Sequence, residues 1–166
     1  MANVNSTGTD RSPKPSPDGR QLFFSSSRSG GVGGQDVWVS YFTGLSYQNL
    51  PQIASPLLLH VTHAQKPGEA YQIGLSLSNN TGIRIPNVGT IPLDLDNLLI
   101  LSVQNPVPGL FINFAGTLNI NGEATGQLNI PASIGLVGIP FHAAAVLYGP
   151  QGVSYITNGL KLGIHR

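Results

Sequence analysis

YQIGLSLS, residues 71–78, alternates without a break: Tyr71, Ile73, Leu75 and Leu77 are apolar, while Gln72, Gly74, Ser76 and Ser78 are small or polar. A period of two puts the first set on one face of an extended chain and the second on the other, so the stretch reads as a half-buried strand. Leu98-Leu99-Ile100-Leu101 is apolar throughout and suits a central strand covered on both faces. Further strands are expected at 57–63, 110–119, 123–130, 140–148, 153–158 and 160–165, separated by Gly, Pro and Asn. No helical periodicity of useful length occurs. The reading is all-β: an antiparallel β-sandwich or jelly-roll-like domain over residues 56–166, preceded by an orphan β-hairpin.

Two hairpins can be taken to register. At Ile120-Asn121-Gly122, a three-residue loop with Gly122 in the left-handed region pairs Asn119 with Glu123. Leu118 then faces Ala124, Phe114 faces Leu128 and Ile112 faces Ile130, all inward, with Thr117 and Thr125 meeting outside. A one-residue slip turns that whole apolar set to water, so this register is expected. At Gly149-Pro150-Gln151-Gly152, proline presets the turn, which pairs Val146 with Ile156 and Leu147 with Tyr155.

The totals exclude several classes. Charged residues are 9% of the 166, against about 25% in ordinary domains, and the net charge is +1. Such a chain has no field to steer it to nucleic acid or to an anionic membrane surface. There is no cysteine, hence no disulfide framework, thiolate metal site or cysteine nucleophile. The most apolar stretch, Ala132 to Gly149, contains Pro140 and His142 and is too broken to span a bilayer. The low-charge, Gly- and Pro-rich composition points to an extracellular or cell-surface protein. The first twenty residues have no apolar h-region and do not read as a signal peptide.

Residues 1–20 read as a flexible polar leader, 21–55 as a hairpin and connector, and 56–166 as the sandwich. Within 16–40, a turn at Ser16-Pro17-Asp18-Gly19 precedes the Leu22-Phe23-Phe24 strand. Ser27, Arg28, a glycine run and Asp36-Val37-Trp38-Val39 follow. In that order these residues resemble a single repeat of TolB-type, WD40-like β-propellers. The resemblance implies a blade, yet a propeller needs about 4 to 8 of them and no second copy occurs. Phe114-Ala115-Gly116-Thr117-Leu118, Gly122-Glu123-Ala124, Asn129-Ile130-Pro131 and Thr157-Asn158-Gly159-Leu160 resemble the C-terminal β-sandwich module of large secreted bacterial proteins. That resemblance implies location and architecture, and carries no catalytic motif.

A lone two-stranded hairpin is marginal in water, and this one carries Leu22, Phe23, Phe24, Val37, Trp38 and Val39. Those six are the candidate assembly residues. They are expected to add to a neighbouring copy by β-augmentation and build a homo-oligomer, a head-to-tail filament included, or else to fold back on the sandwich. Trp38, Tyr41, Phe42 and Tyr47 are candidates for stacking on a glycan, although such aromatics more often cover a neighbouring sheet.

Reactive groups are few. His60 and His63 lie three apart on a strand and point to opposite faces, which denies them a shared metal ion. His142 reads as a core-edge residue. Asp94 and Asp96 put two carboxylates on one side of an extended segment, making them weak calcium candidates against the plainer reading of a polar turn. No G-x-S-x-G elbow occurs, and the glycine run at 30–34 lacks the Lys-Ser/Thr of a phosphate loop. No catalytic residue and no cofactor is expected. The chain reads as a non-enzymatic structural or assembly module, the alternative being a carbohydrate- or protein-binding module.

Overall fold

The computed structural model describes residues 6–15, 21–104 and 107–166. The turn expected at residues 16–19 lies outside them. The chain divides into two compact units, Met1–Thr43 and Gly44–Arg166. The boundary thus falls twelve residues before the expected one, because part of the supposed connector is a strand of the second unit.

The first unit is a three-stranded antiparallel sheet in the order β1-β2-β3, from β1 (Asp10–Pro15), β2 (Gln21–Ser26) and β3 (Asp36–Tyr41). The hairpin is therefore not an isolated pair. Residues 10–15, read as leader, supply a third strand, which a two-stranded ribbon needs for stability. The β1–β2 register shifts between Arg11 and Lys14, where Ser12 takes φ +53° and Pro13 has no N–H to give.

The second unit is an antiparallel β-sandwich. Its four-stranded sheet holds β4 (Gly44–Tyr47), β5 (Pro56–Thr62), β11 (Glu123–Asn129) and β9 (Phe111–Ile112), in that order. The other sheet runs β10 (Ala115–Thr117), β6 (Ala70–Ser76), β12 (Pro140–Gly149) and β13 (Gly152–Ile156), with β14 (Leu160–Gly163) also on β12. A small hairpin, β7 (Ile83–Ile85) and β8 (Gly89–Ile91), forms a separate two-stranded sheet. Leu57, Leu59 and Val61 of β5 meet Tyr71, Ile73 and Leu75 of β6 and Ala143, Ala145 and Leu147 of β12 in the core. The odd positions of residues 71–75 face inward as the alternation requires.

The other face of β6 is covered as well. Gly74 and Ser76 are buried, beneath a second cluster of Leu93, Leu99 and Ala144. What covers them overturns one expectation: Leu98–Leu101 is not a strand but part of an eight-residue helix, α1 (Asn97–Gln104). Asp96 caps it. Its Oδ1 accepts the Leu99 N–H at 2.8 Å and its carbonyl the Ile100 N–H at 3.1 Å, satisfying donors that a helix start leaves open. Beyond β10, the outward N–H groups of the β6 edge are taken in turn. Ile73 donates to Phe114 O (2.7 Å), Leu75 to Ser102 Oγ (2.9 Å) and Leu77 to Asp96 Oδ2 (2.7 Å). The helix closes an edge that backbone pairing leaves open.

The loop at 120–122 forms as expected. Asn119 N–H donates to Glu123 O and Gly122 N–H to Asn119 O, both at 2.8 Å, with Gly122 at φ +74°. Further from the loop the expected register fails. Phe111 pairs with Leu128 and Ile112 with Gln127, while residues 115–117 pair with β6. Thr117 thus lies opposite Ala70, and Thr125 opposite His60. Asn113, at φ +53°, turns the chain out of one sheet, and it enters the other two residues later. Phe114 and Leu118 still reach the core, but Ile112 is exposed. The second hairpin matches its expected pairing, Val146 with Ile156 and Leu147 with Tyr155.

The crossing at 113–114 joins the two sheets along one side. Along the other, the Asn158 side chain bridges to β4: Leu45 N–H donates to Asn158 Oδ1 and Asn158 Nδ2 to Leu45 O, each at 3.0 Å. Two backbone bonds continue that seam, Ile53 N–H to His165 O (3.1 Å) and His165 N–H to Pro51 O (2.8 Å).

Candidate functional site

In the first unit, β2 and β3 pair Phe23 with Val39, Phe24 with Trp38 and Ser25 with Val37. Alternation then sorts the six assembly candidates onto two faces. Leu22, Phe24 and Trp38 share one. Arg28 lies over it, its guanidinium carbon 4.6 Å from the Phe24 ring centroid and 5.4 Å from that of Trp38. Its Nη2 reaches Asp10 Oδ1 at 2.9 Å and its Nε donates to Ser26 Oγ at 2.9 Å. A planar, weakly hydrated cation suits such a lid. Asp10 also accepts the Ser6 N–H at 2.7 Å. Hydrogen bonds from the Ser26 hydroxyl, the Ser6 backbone and Arg28 hold its carboxyl well below the usual range.

The opposite face is open. Phe23 is 40% exposed, Val37 80% and Val39 41%. The two end strands differ in kind. β1 carries Pro13, Pro15 and the register shift, features that blunt an edge. β3, Asp36-Val37-Trp38-Val39-Ser40-Tyr41, has no proline, and among the described residues no further strand follows it in the sheet. The glycine run before β3 folds back on it: Gly33 N–H donates to Asp36 Oδ2 at 3.2 Å. Asp10 and the role of Arg28 were not legible in the sequence, since Asp10 falls in the segment read as leader.

The aromatic stacking candidates are shared between the two units. Trp38 lies against Arg28, the Tyr41 side chain is outside the described residues, and Tyr47 belongs to β4 of the other unit.

Asp94 and Asp96 do come close to the same turn, but their oxygens face donors. Asp94 accepts Ser78 Oγ (2.7 Å) and the N–H groups of Asn80 (2.9 Å), Thr81 and Gly82 (both 2.8 Å). Those bonds, Ser78 first, hold its carboxyl well below the usual range. Asp96 adds Ser76 Oγ (2.8 Å) to its contacts with Leu77 and Leu99. Burial opposes its ionisation, and the bonds from Leu99, Ser76 and Leu77 outweigh burial and lower its pKa. N–H and O–H groups are an anion's partners, not a cation's. The pair ties loop 78–82, strand β6 and helix α1 together. Among the described residues, no group of three His, Asp or Glu stands close enough to hold a metal ion.

His60 sits at the surface with Nδ1 2.9 Å from Thr125 Oγ1. His63 is buried edge-on to Tyr155, ring centroids 4.5 Å apart, and its Nδ1 has no hydrogen-bond partner among the described residues. Beside it, Glu69 accepts Lys66 Nζ at 2.8 Å and the Ser154 hydroxyl. His142 is buried in β12. Among the described residues, no helix is long and apolar enough to cross a membrane. The chain matches no protein-family profile, no curated protein and no solved structure.

Proposed function

We propose that this chain is a non-enzymatic, extracellular assembly module whose first unit pairs, through β3, with β3 of a second copy. The observation that carries this reading is the asymmetry between the end strands: β1 is blunted by Pro13, Pro15 and its register shift, and β3 is not. Pairing β3 with β3 joins two three-stranded sheets into one, with a blunted β1 at each end. Val37 and Val39, exposed on β3, then stand beside side chains of the added strand on the same face, so pairing shields part of their apolar surface. With β3 the open edge among the described strands of this sheet, pairing about a two-fold axis closes at the dimer; a head-to-tail filament needs a second acceptor surface. The low-charge, Gly- and Pro-rich composition supports an extracellular setting.

Light scattering coupled to size-exclusion chromatography tests the reading on the full chain. The unmodified protein should run as a dimer that dissociates on dilution. Val37→Lys and Val39→Lys, which place charge on the open strand, should each give a monomer with an unchanged circular dichroism spectrum. A chain that is monomeric at its highest soluble concentration, or a dimer indifferent to both substitutions, would overturn it. Binding of the unmodified monomer to glycans, lost in Trp38→Ala, would favour the carbohydrate reading instead.

A further inference from the structure

We propose that the second unit binds an alkyl chain in an apolar cavity at one end of its sandwich. The cavity measures about 260 Å³, and every described residue lining it is Leu, Ile, Phe or Pro. Its floor is core: Leu75, Phe111 and Phe141 are nearly inaccessible. Its rim is not, since Leu77 is 53% exposed and Pro131 is exposed too. Helix α1 contributes Leu98 and Leu101 to one wall. The space therefore grades from a dry interior to water, which a closed packing void does not.

Volume and lining together select the occupant. Ordered water needs two to four polar partners, and no described residue lining this space has a polar side chain. An apolar cavity of roughly 150 Å³ stays dry and accepts one benzene, so this one has room for a longer apolar guest. A methylene group occupies about the volume of a water molecule, roughly 30 Å³, so the cavity takes about eight carbons. With no charged or hydrogen-bonding side chain among the described residues of the wall, the site reads chain length and leaves the polar head in solvent. A flexible aliphatic chain fits an irregular, Leu-lined space with a wet mouth better than a rigid ring does.

A series of 1-alkanols from hexanol to dodecanol, titrated into the full chain by calorimetry and followed by methyl NMR, tests this. Affinity should rise about fourfold per added methylene, and level off near octanol as further carbons protrude into water. Methyl resonances of Leu98, Leu101 and Leu136 should shift while the Trp38 indole signal does not. Leu136→Phe, on a half-exposed 3₁₀ turn, should fill the space and weaken octanol about tenfold without lowering Tm. Leu101→Ala should enlarge it and move the plateau to longer chains. Affinity that climbs steadily through dodecanol, equally in both variants, would mean surface partition and overturn the site. Absence of saturable binding would do the same. Flotation with phosphatidylcholine vesicles separates the two sources of such a chain: the free-amphiphile site predicts no co-flotation. Vesicle binding without octanol binding would overturn it in favour of a bilayer.

Discussion

Gly74 on β6 lies directly opposite Ala144 on β12, and the shallow step these two residues leave is where helix α1 rests. A Cβ on Gly74 would stand 2.7 Å from Leu99 Cδ1 and 3.2 Å from Leu93 Cδ1. Gly74→Val should therefore cost about 1–3 kcal/mol by overpacking, measured by urea unfolding. Leu99→Ala should recover part of that loss, giving a coupling energy between the two sites. Strictly additive costs would locate the strain elsewhere.

Two loop glycines separate strain from collision. Gly152 has φ +105° with open space where a Cβ would point. Gly122 has φ +74°, and its Cβ would meet the His63 carbonyl oxygen at 2.2 Å. Alanine at 152 should lose only the left-handed penalty, about 1–2 kcal/mol. Alanine at 122 should lose more, because backbone has to move, and valine more again. Paired melting curves check the order.

Asp94 makes stability depend on acid. Its folded pKa lies below the unfolded value near 3.9. Its contribution is thus present above that unfolded value and is lost as pH falls toward the folded one. Asp94→Asn, which turns one acceptor into a donor facing donors, should lower Tm at neutral pH and flatten its fall below about pH 4. Calcium should leave Tm unchanged in both proteins.

His63 acts in a different window. Burial first, and then the Lys66 charge, lower its pKa, so folding favours the neutral ring. Its contribution is complete above the unfolded pKa near 6.5 and declines as pH falls below that value and the unfolded state takes up a proton. Phenylalanine keeps an edge against Tyr155 and has no Nδ1 to leave unpaired. His63→Phe should remove most of the Tm loss between about pH 7 and 5.

Trp38 is the chain's single tryptophan, so its emission reports on the first unit alone. Arg28→Ala, which uncovers Phe24 and Trp38, should shift that emission to the red and increase acrylamide quenching. Arg28→Lys should fall between, since a point charge replaces a plane. The melting of the sandwich, followed by circular dichroism, should not move.

What could be read in the chain was what neighbours in sequence decide. The alternation at 71–75 and the turns at 120–122 and 149–152 depend on adjacent residues, and they stand as expected. The partner of residues 115–117 depends on Asn113 leaving the right-handed region, and no short-range pattern announces that. Leu98–Leu101 is too short for periodicity to separate helix from strand. Its one signal, Asp96 as a cap, was entangled with the calcium reading of the same side chain. β1 was hidden by its prolines, which argue against a strand and mark a blunted one equally well. The sorting of Phe23, Val37 and Val39 from Phe24 and Trp38 follows from alternation, but the cover over the second group needed Arg28 in place.

The Asn158 amide, bonded to Leu45 as a backbone would be, has a consequence for growth. Together with the crossing at 113–114 it makes the sandwich a hoop in cross-section, stitched by covalent chain on one flank and by an amide on the other. A hoop has no lateral direction in which to recruit. Freed of residues 1–43, the second unit should stay solitary even when crowded, and Asn158→Ala, by unpicking one flank, is where unwanted polymerisation should begin.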